Sequence, residues 1–308
     1  MKLNNKILAI VLSVLVLILI YQKFIHKADN RSFKDVLLEL ESSDIDQFKL
    51  INRGIVSQLE KTEGGWILKG DNGDDYPVNS SAVGPLLDAA RGVKTQQLVS
   101  RSADKHAEYE LDAASGKLLE CYSKGKLLGG LYAGRFNFDQ ARRAAKTYVR
   151  EAGDSDIYST EGFLAMSLDR KPDDFRIKEL LPGFKPDELN KITLMEGGTT
   201  QTIEKTLDAS WMDGESVMLD SISLSNYINA LSSARGLDFV HRDSIDGALH
   251  SKLTLYSPRA EYNVEVYKNE SGSFLIRNEN NPNQSFRSDS TSLFKTVYLD
   301  LKALLSEV

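Results

Sequence analysis

Cysteine is almost missing from this chain: Cys121 stands alone among 308 residues. An intramolecular disulfide is therefore excluded, and apolar packing must supply the stability. An excess of basic charge is missing too. The formal net charge of −6 excludes the broad basic surface that a nucleic-acid partner asks for, and it disfavours adhesion of the body to anionic lipid. Histidine is scarce. His26, His106, His241 and His250 form neither an H-x-x-H nor an H-E-x-x-H pair, so no zinc site with three or four clustered ligands is expected. Gly125, Gly129 and Gly130 are not followed by the Lys-Ser/Thr pair of a phosphate loop. No cofactor, metal or catalytic constellation is expected.

What the chain does have is a repeat. Phe48-Lys49-Leu50 through Leu59-Glu60-Lys61 and Trp66 returns as Ile192-Thr193-Leu194 through Ile203-Glu204-Lys205 and Trp211, 144 to 145 positions later. The same spacing carries Ala90-Arg91-Gly92-Val93 onto Ala234-Arg235-Gly236-Leu237. Apolar content of 41% and charged content of 27% are those of a globular protein. One folding unit is expected twice, over residues 45–185 and 186–308.

Ahead of the repeats, Ile7 to Tyr21 is apolar apart from Ser13, extended by Phe24 and Ile25 and flanked by Lys2, Lys6 and Lys23. No A-x-A-like cleavage site follows, so residues 1–27 read as an uncleaved anchor crossing the membrane at 7–25. The expected placement is single-pass in the cytoplasmic (inner) membrane with an extracytoplasmic body. Residues 28–44 read as a linker helix, with Ser32 as cap and Phe33, Val36, Leu37 and Leu40 on one face.

Each repeat opens with strands, Phe48–Ile51, Ile55–Glu60 and Gly65–Lys69 in the first. Asp- and Gly-rich turns follow the Trp-led strand. The stretch Asp71-Asn72-Gly73-Asp74-Asp75 lacks the ligand series of a calcium loop and reads as a hairpin turn. A helix comes next, capped by Asn79 or Ser80 in one copy and by Ser223 or Ser225 in the other. Arg91 and Arg235 fall where a cation complements a helix end, each before a Gly that supplies a left-handed cap. Further strands follow, and each copy closes on a helical segment, Glu161–Leu168 or Leu293–Leu305. The fold class is α+β: two similar repeats of mostly antiparallel sheet with one long helix each, after an N-terminal transmembrane helix.

The Trp-led strand, the helix carrying Val83, Leu86 and Leu87, and the motifs Leu131-Tyr132-Ala133-Gly134, Thr147-Tyr148-Val149-Arg150 and Asp156-Ile157-Tyr158 resemble domain-of-unknown-function family 4340. The resemblance implies a bacterial envelope protein. It also implies a link with auxiliary components of ABC-type transport systems, including those of gliding motility, and it carries over no catalytic residue.

Cys121 shares a strand with Leu119 and has no His or Arg within six residues, so it reads as a small buried hydrophobe. Paired carboxylates such as Glu110 with Glu120, or Asp154 with Asp156, are candidates for hydrolytic chemistry. One segment distinguishes the copies. Gly134 to Lys146 is basic and aromatic, and the second copy is expected to offer only Asn278–Gln284 in its place. Arg135, Arg142, Arg143 and Lys146 are the candidate contacts to an acidic partner, and the segment reads as a solvated loop or short helix. The functional expectation is a non-catalytic accessory or scaffold subunit beside an ABC-type transport complex. The alternatives are a solute- or glycan-binding module and, behind it, an envelope hydrolase.

Overall fold

The computed structural model describes residues 33–71, 73–140, 143–241, 247–281, 283–300 and 304. In chain order the strands and helices are β1 (Val36–Leu37), β2 (Gln47–Asn52), β3 (Ile55–Thr62), β4 (Gly65–Lys69), β5 (Asp75–Pro77), α1 (Ser80–Arg91), β6 (Val93–Lys94), β7 (Gln97–Ser100), β8 (Lys117–Ser123), β9 (Lys126–Asp139), β10 (Ala144–Glu151), β11 (Ile157–Glu161) and α2 (Leu164–Ser167). They continue as β12 (Lys191–Glu196), β13 (Thr199–Lys205), β14 (Trp211–Asp213), α3 (Ser221–Ser232), β15 (Asp238–Phe239), β16 (Ala248–Tyr256), β17 (Glu261–Lys268), β18 (Phe274–Asn278), β19 (Ser285–Ser288) and α4 (Leu293–Val297). The chain divides into two compact units. The first holds the described residues up to Thr62 and those of Ala82–Lys171, and the second holds Glu63–Ser81 and those of Pro172–Val308.

In the first unit the strands lie in the order β3-β2-β8-β9-β10-β11-β7, and each of these pairings is antiparallel. Strand β2 alternates strictly and buries Phe48 and Leu50. The two-residue turn Arg53-Gly54 joins it to β3 with positive φ at both positions, 50° and 83°. That is the turn whose twist matches paired strands. Helix α1 is capped by Asn79, whose Oδ1 accepts from Ser81 N at 3.1 Å, and it buries Val83, Leu86 and Ala90.

In the second unit β14-β13-β12-β16-β17-β18-β19-β15 form one antiparallel sheet. From β12 onward the sequence of neighbours repeats that of β2-β8-β9-β10-β11-β7 in the first unit. Ile192, Leu194, Leu253, Leu255, Val264, Val266, Ile276 and Phe286 of the sheet share one core with Leu224, Ile228 and Leu231 of α3. Each such side chain contributes about 1.5–3 kcal/mol of burial. Helix α3 is capped by Asp220, which accepts from Ile222 N and Ser223 N, rather than by Ser223 or Ser225.

The expected fold class needs correction. Sheet dominates, and the described helices are short: α1 and α3 have 12 residues each, and α2 and α4 have 4 and 5. Gly162, at φ 103°, lies in the turn between β11 and α2 and delays the first closing helix. The second closing helix stops because Tyr298 turns extended after Val297. Within 33–44 no helix forms. Val36 and Leu37 pair instead with Lys94 and Val93 of β6, and Leu38 and Glu39 adopt positive φ, which no helix accommodates. The candidate anchor, residues 7–25, lies outside the described residues, and among the described residues no helix is long and apolar enough to cross a membrane. The expected placement as a single-pass inner-membrane protein thus finds no spanning helix among the described residues.

A charged knot fastens the start of the described chain to the first unit. Arg150 is buried with its guanidinium 3.8 Å from the centroid of the Tyr132 ring. It donates to the Leu111 carbonyl at 2.9 Å and to the carbonyls of Glu151 and Asp154. Lys34 donates to the carboxylates of Glu151 and Asp154. Burial works to raise the Asp154 pKa, but hydrogen bonds from Asp156 N and from the Lys34 ammonium outweigh it, and the pKa is lowered. A depressed carboxylate stabilises the fold above its unfolded pKa near 4, and that stability is lost as pH falls through the folded value. Asp154→Asn is expected to cost about 1 kcal/mol at pH 7. Melting curves of the two proteins should converge as pH falls from about 4 towards 2; a gap unchanged over that range would refute the assignment.

Candidate interaction surface

Strand β9 outruns its neighbour β8, whose last partner is Ala133. Beyond it, Gly134–Asp139 and Ala144–Thr147 continue as an arm, with Asp139, Phe138, Asn137 and Phe136 opposite Ala144, Ala145, Lys146 and Thr147; Lys146 and Thr147 also pair with Glu161 and Thr160 of β11, so the arm is two-stranded only beyond them. The segment expected as a loop or short helix is therefore a hairpin. Its counterpart by sheet position is the β17–β18 turn, where Lys268 pairs with Phe274, and not Asn278–Gln284. Gly134 is required at the root of the arm. A Cβ there would lie 2.2 Å from the Tyr109 carbonyl oxygen, while that carbonyl accepts from Arg135 N at 2.8 Å.

Residues directly opposite one another share a face, and neighbours along a strand alternate. Arg135, Asn137 and Lys146 thus fall on one face, and Phe136, Phe138, Ala145 and Thr147 on the other. On the polar face Arg135 Nε lies 3.8 Å from Glu110 Oε1, a contact between two well-exposed side chains and hence weak. The Lys146 ammonium sits 5.7 Å from the centroid of Tyr148, which packs on Tyr109 at 4.6 Å. Arg143 is exposed at the tip with φ 51°, and Arg142 lies outside the described residues. The structure therefore brings Arg135 and Lys146 to one face and places Arg143 at the turn.

The opposite face is aromatic. Phe136 stacks on Phe163 at 5.5 Å, and Thr147 fastens the approach to α2 by donating from Oγ1 to the Gly162 carbonyl at 3.1 Å. Phe138, Phe163 and Met166 remain 45%, 53% and 58% exposed. Phe163 also lines a groove of about 400 Å³ with Ala89, Val93 and Leu164. The second unit has a groove at the matching place, between the end of α3 and α4. It holds about 520 Å³ but is lined by Ser233, Arg235, Thr291 and Ser292, so hydroxyls replace the aromatic wall. Phe163 and Met166 escape sequence reasoning because an apolar run entering a helix reads as core.

Side chains with catalytic potential are engaged otherwise. Cys121 is buried, and burial together with the Glu120 carboxylate pushes its thiol up to about 12, the wrong direction for a nucleophile. Glu120 accepts from the Tyr122 hydroxyl at 2.8 Å, Glu110 faces Arg135, and Asp154 is held by Lys34. His106 meets the Ser155 carbonyl, and His241 meets Asp74 Oδ2 at 2.8 Å. Among the described residues no group of His, Cys, Asp and Glu is gathered as a metal ion requires. Arg91 bonds Asp88 and Ser42. Arg235 lies past the end of α3 and pairs with Glu179 at 2.8 Å. Lys69 and Asp75 bridge the β4–β5 hairpin at 2.8 Å.

The second unit holds a side chain that sequence reasoning passes over. Arg176, 9% exposed, lays its guanidinium between the rings of Tyr76 and Phe239, 4.0 and 3.7 Å from their centroids. It donates to the Asn283 carbonyl at 2.6 Å and to Asp173 at 3.2 Å.

Compared with known proteins, the chain matches no curated protein and no solved structure. The family model described as Domain of unknown function (DUF4340) matches residues 66–258. That match takes in more than half of the sequence, and the chain belongs to this family.

Proposed function

We propose that this protein is a non-catalytic accessory subunit of an ABC-type transport complex, docking through the β9–β10 arm onto an acidic segment of a partner subunit. The observation that carries the reading is the arm itself: a hairpin with Arg135 and Lys146 on one face and Phe136 and Phe138 on the other, on a chain whose net charge is −6. Basic side chains on an acidic body favour an acidic partner by charge complementarity. Exposed aromatic side chains supply the apolar contact that dominates binding energy. The transport class is what the family resemblance implies.

A photo-crosslinking side chain placed at Phe138 tests this, with tagged protein extracted together with the transporter subunits. The expected product joins Phe138 to an Asp/Glu-rich segment of a transporter subunit. The double change Arg135→Glu with Lys146→Glu should lower its yield roughly ten-fold, and added salt should lower it as well. Recovery of the chain alone, or a yield indifferent to charge reversal, would overturn the proposal.

A further inference from the structure

The Arg176 sandwich borders a small cavity in the second unit that the docking proposal does not use. Tyr76, Arg176, Asn281, Asn283 and Gln284 line it, and it has room for the centre of a water molecule over about 10 Å³. That is about the space one water needs. Gln284 is 3% exposed, and its Nε2 has no hydrogen-bond partner among the described residues. The amide cannot simply be turned round. Asn278 Nδ2 donates to the Leu180 carbonyl at 2.8 Å and lies 3.4 Å from Gln284 Oε1. The oxygen of Gln284 is thus committed to Asn278, and the nitrogen points elsewhere.

A buried donor left unsatisfied is costly, and native proteins supply such groups with a partner. We infer that the cavity binds a single ordered water molecule, which accepts a hydrogen bond from Gln284 Nε2 and takes its other partners from the polar groups of Arg176, Asn281 and Asn283. The water then belongs to the latch that holds the β4–β5 hairpin in the second unit. That latch already includes Tyr76 on the Arg176 guanidinium, Asp75 O accepting from Asn283 Nδ2 at 3.0 Å, and the Val78–Arg176 bridge. The site suits water rather than an anion, since it is small and Arg176 already faces Asp173.

A high-resolution crystal structure of the full chain, with a second crystal soaked in bromide, tests the site. A water peak within hydrogen-bonding distance of Gln284 Nε2 and no anomalous peak is the expected result. An empty cavity, a rotated Gln284 amide with a new protein partner, or bromide in the cavity would overturn it. Gln284→Met removes the donor at similar volume. It should lose the water and speed amide exchange of residues 74–78 roughly five-fold; unchanged exchange would remove the water from the latch.

Discussion

Gly236→Ala is expected to destabilise the second unit by about 3 kcal/mol, with a fall in melting temperature of roughly 6–12 °C. A Cβ at this position would sit 2.0 Å from both Cγ and Cδ1 of Phe286, far inside any contact that atoms tolerate. Phe286 has nowhere to retreat. It is fully buried, packs on Phe239 at 4.8 Å, and belongs to the core shared by the sheet and α3. The clash must therefore be relieved by displacing a core ring or the backbone, and close-packed interiors resist both. Gly214→Ala is the control, because its nearest neighbour would be 3.9 Å away and its effect should stay within about 0.5 kcal/mol. The pair Gly236→Ala with Phe286→Leu should cost less than the sum of the single changes, since the smaller side chain removes part of the overlap. Strict additivity in denaturant unfolding would show that the ring is not the obstacle.

The same glycine marks how far the sequence can be read. Arg-Gly recurs at Arg91-Gly92 and Arg235-Gly236, and the local pattern suggests a left-handed cap at both. Gly92 has φ 143°, whereas Gly236 is fixed by the approach of Phe286, a residue remote in sequence. Strands β2, β3, β8 and β19 are legible because alternation or short apolar runs bounded by turns are local signals. Strand β9 runs on through Arg135 to Asp139, a basic and aromatic stretch expected as a loop or short helix, because β10 pairs with it there. Phe33, Val36, Leu37 and Leu40 have helical spacing, yet β6 captures Val36 and Leu37: tertiary pairing overrides local pattern. For the candidate surface, the basic residues can be named from sequence, but their division between a face and a tip follows only from register.

Arg176→Ala should cost about 3 kcal/mol and should free the β4–β5 hairpin before the rest of its unit unfolds. Burial lowers the pKa of this guanidinium, while Asp173 and Tyr76 oppose that shift, and its charge is retained because an arginine pKa starts so high. Truncation leaves two aromatic faces without their partner, strips the Asn283 carbonyl of its donor, and opens a void where the side chain passed. Asp173 is 56% exposed and recovers water, which keeps the cost at the lower end of what breaking a buried pair entails. Arg176→Lys separates charge from shape. An ammonium cannot stack as a plane between two rings while donating to two acceptors, so Lys should recover about 1 kcal/mol and no more. Denaturant unfolding gives the magnitude, and amide exchange over residues 74–79 gives the location. A full rescue by Lys would mean that charge alone holds the hairpin. Loss spread evenly over the second unit, with no excess at 74–79, would mean that Arg176 supports the core as a whole rather than latching one hairpin to it.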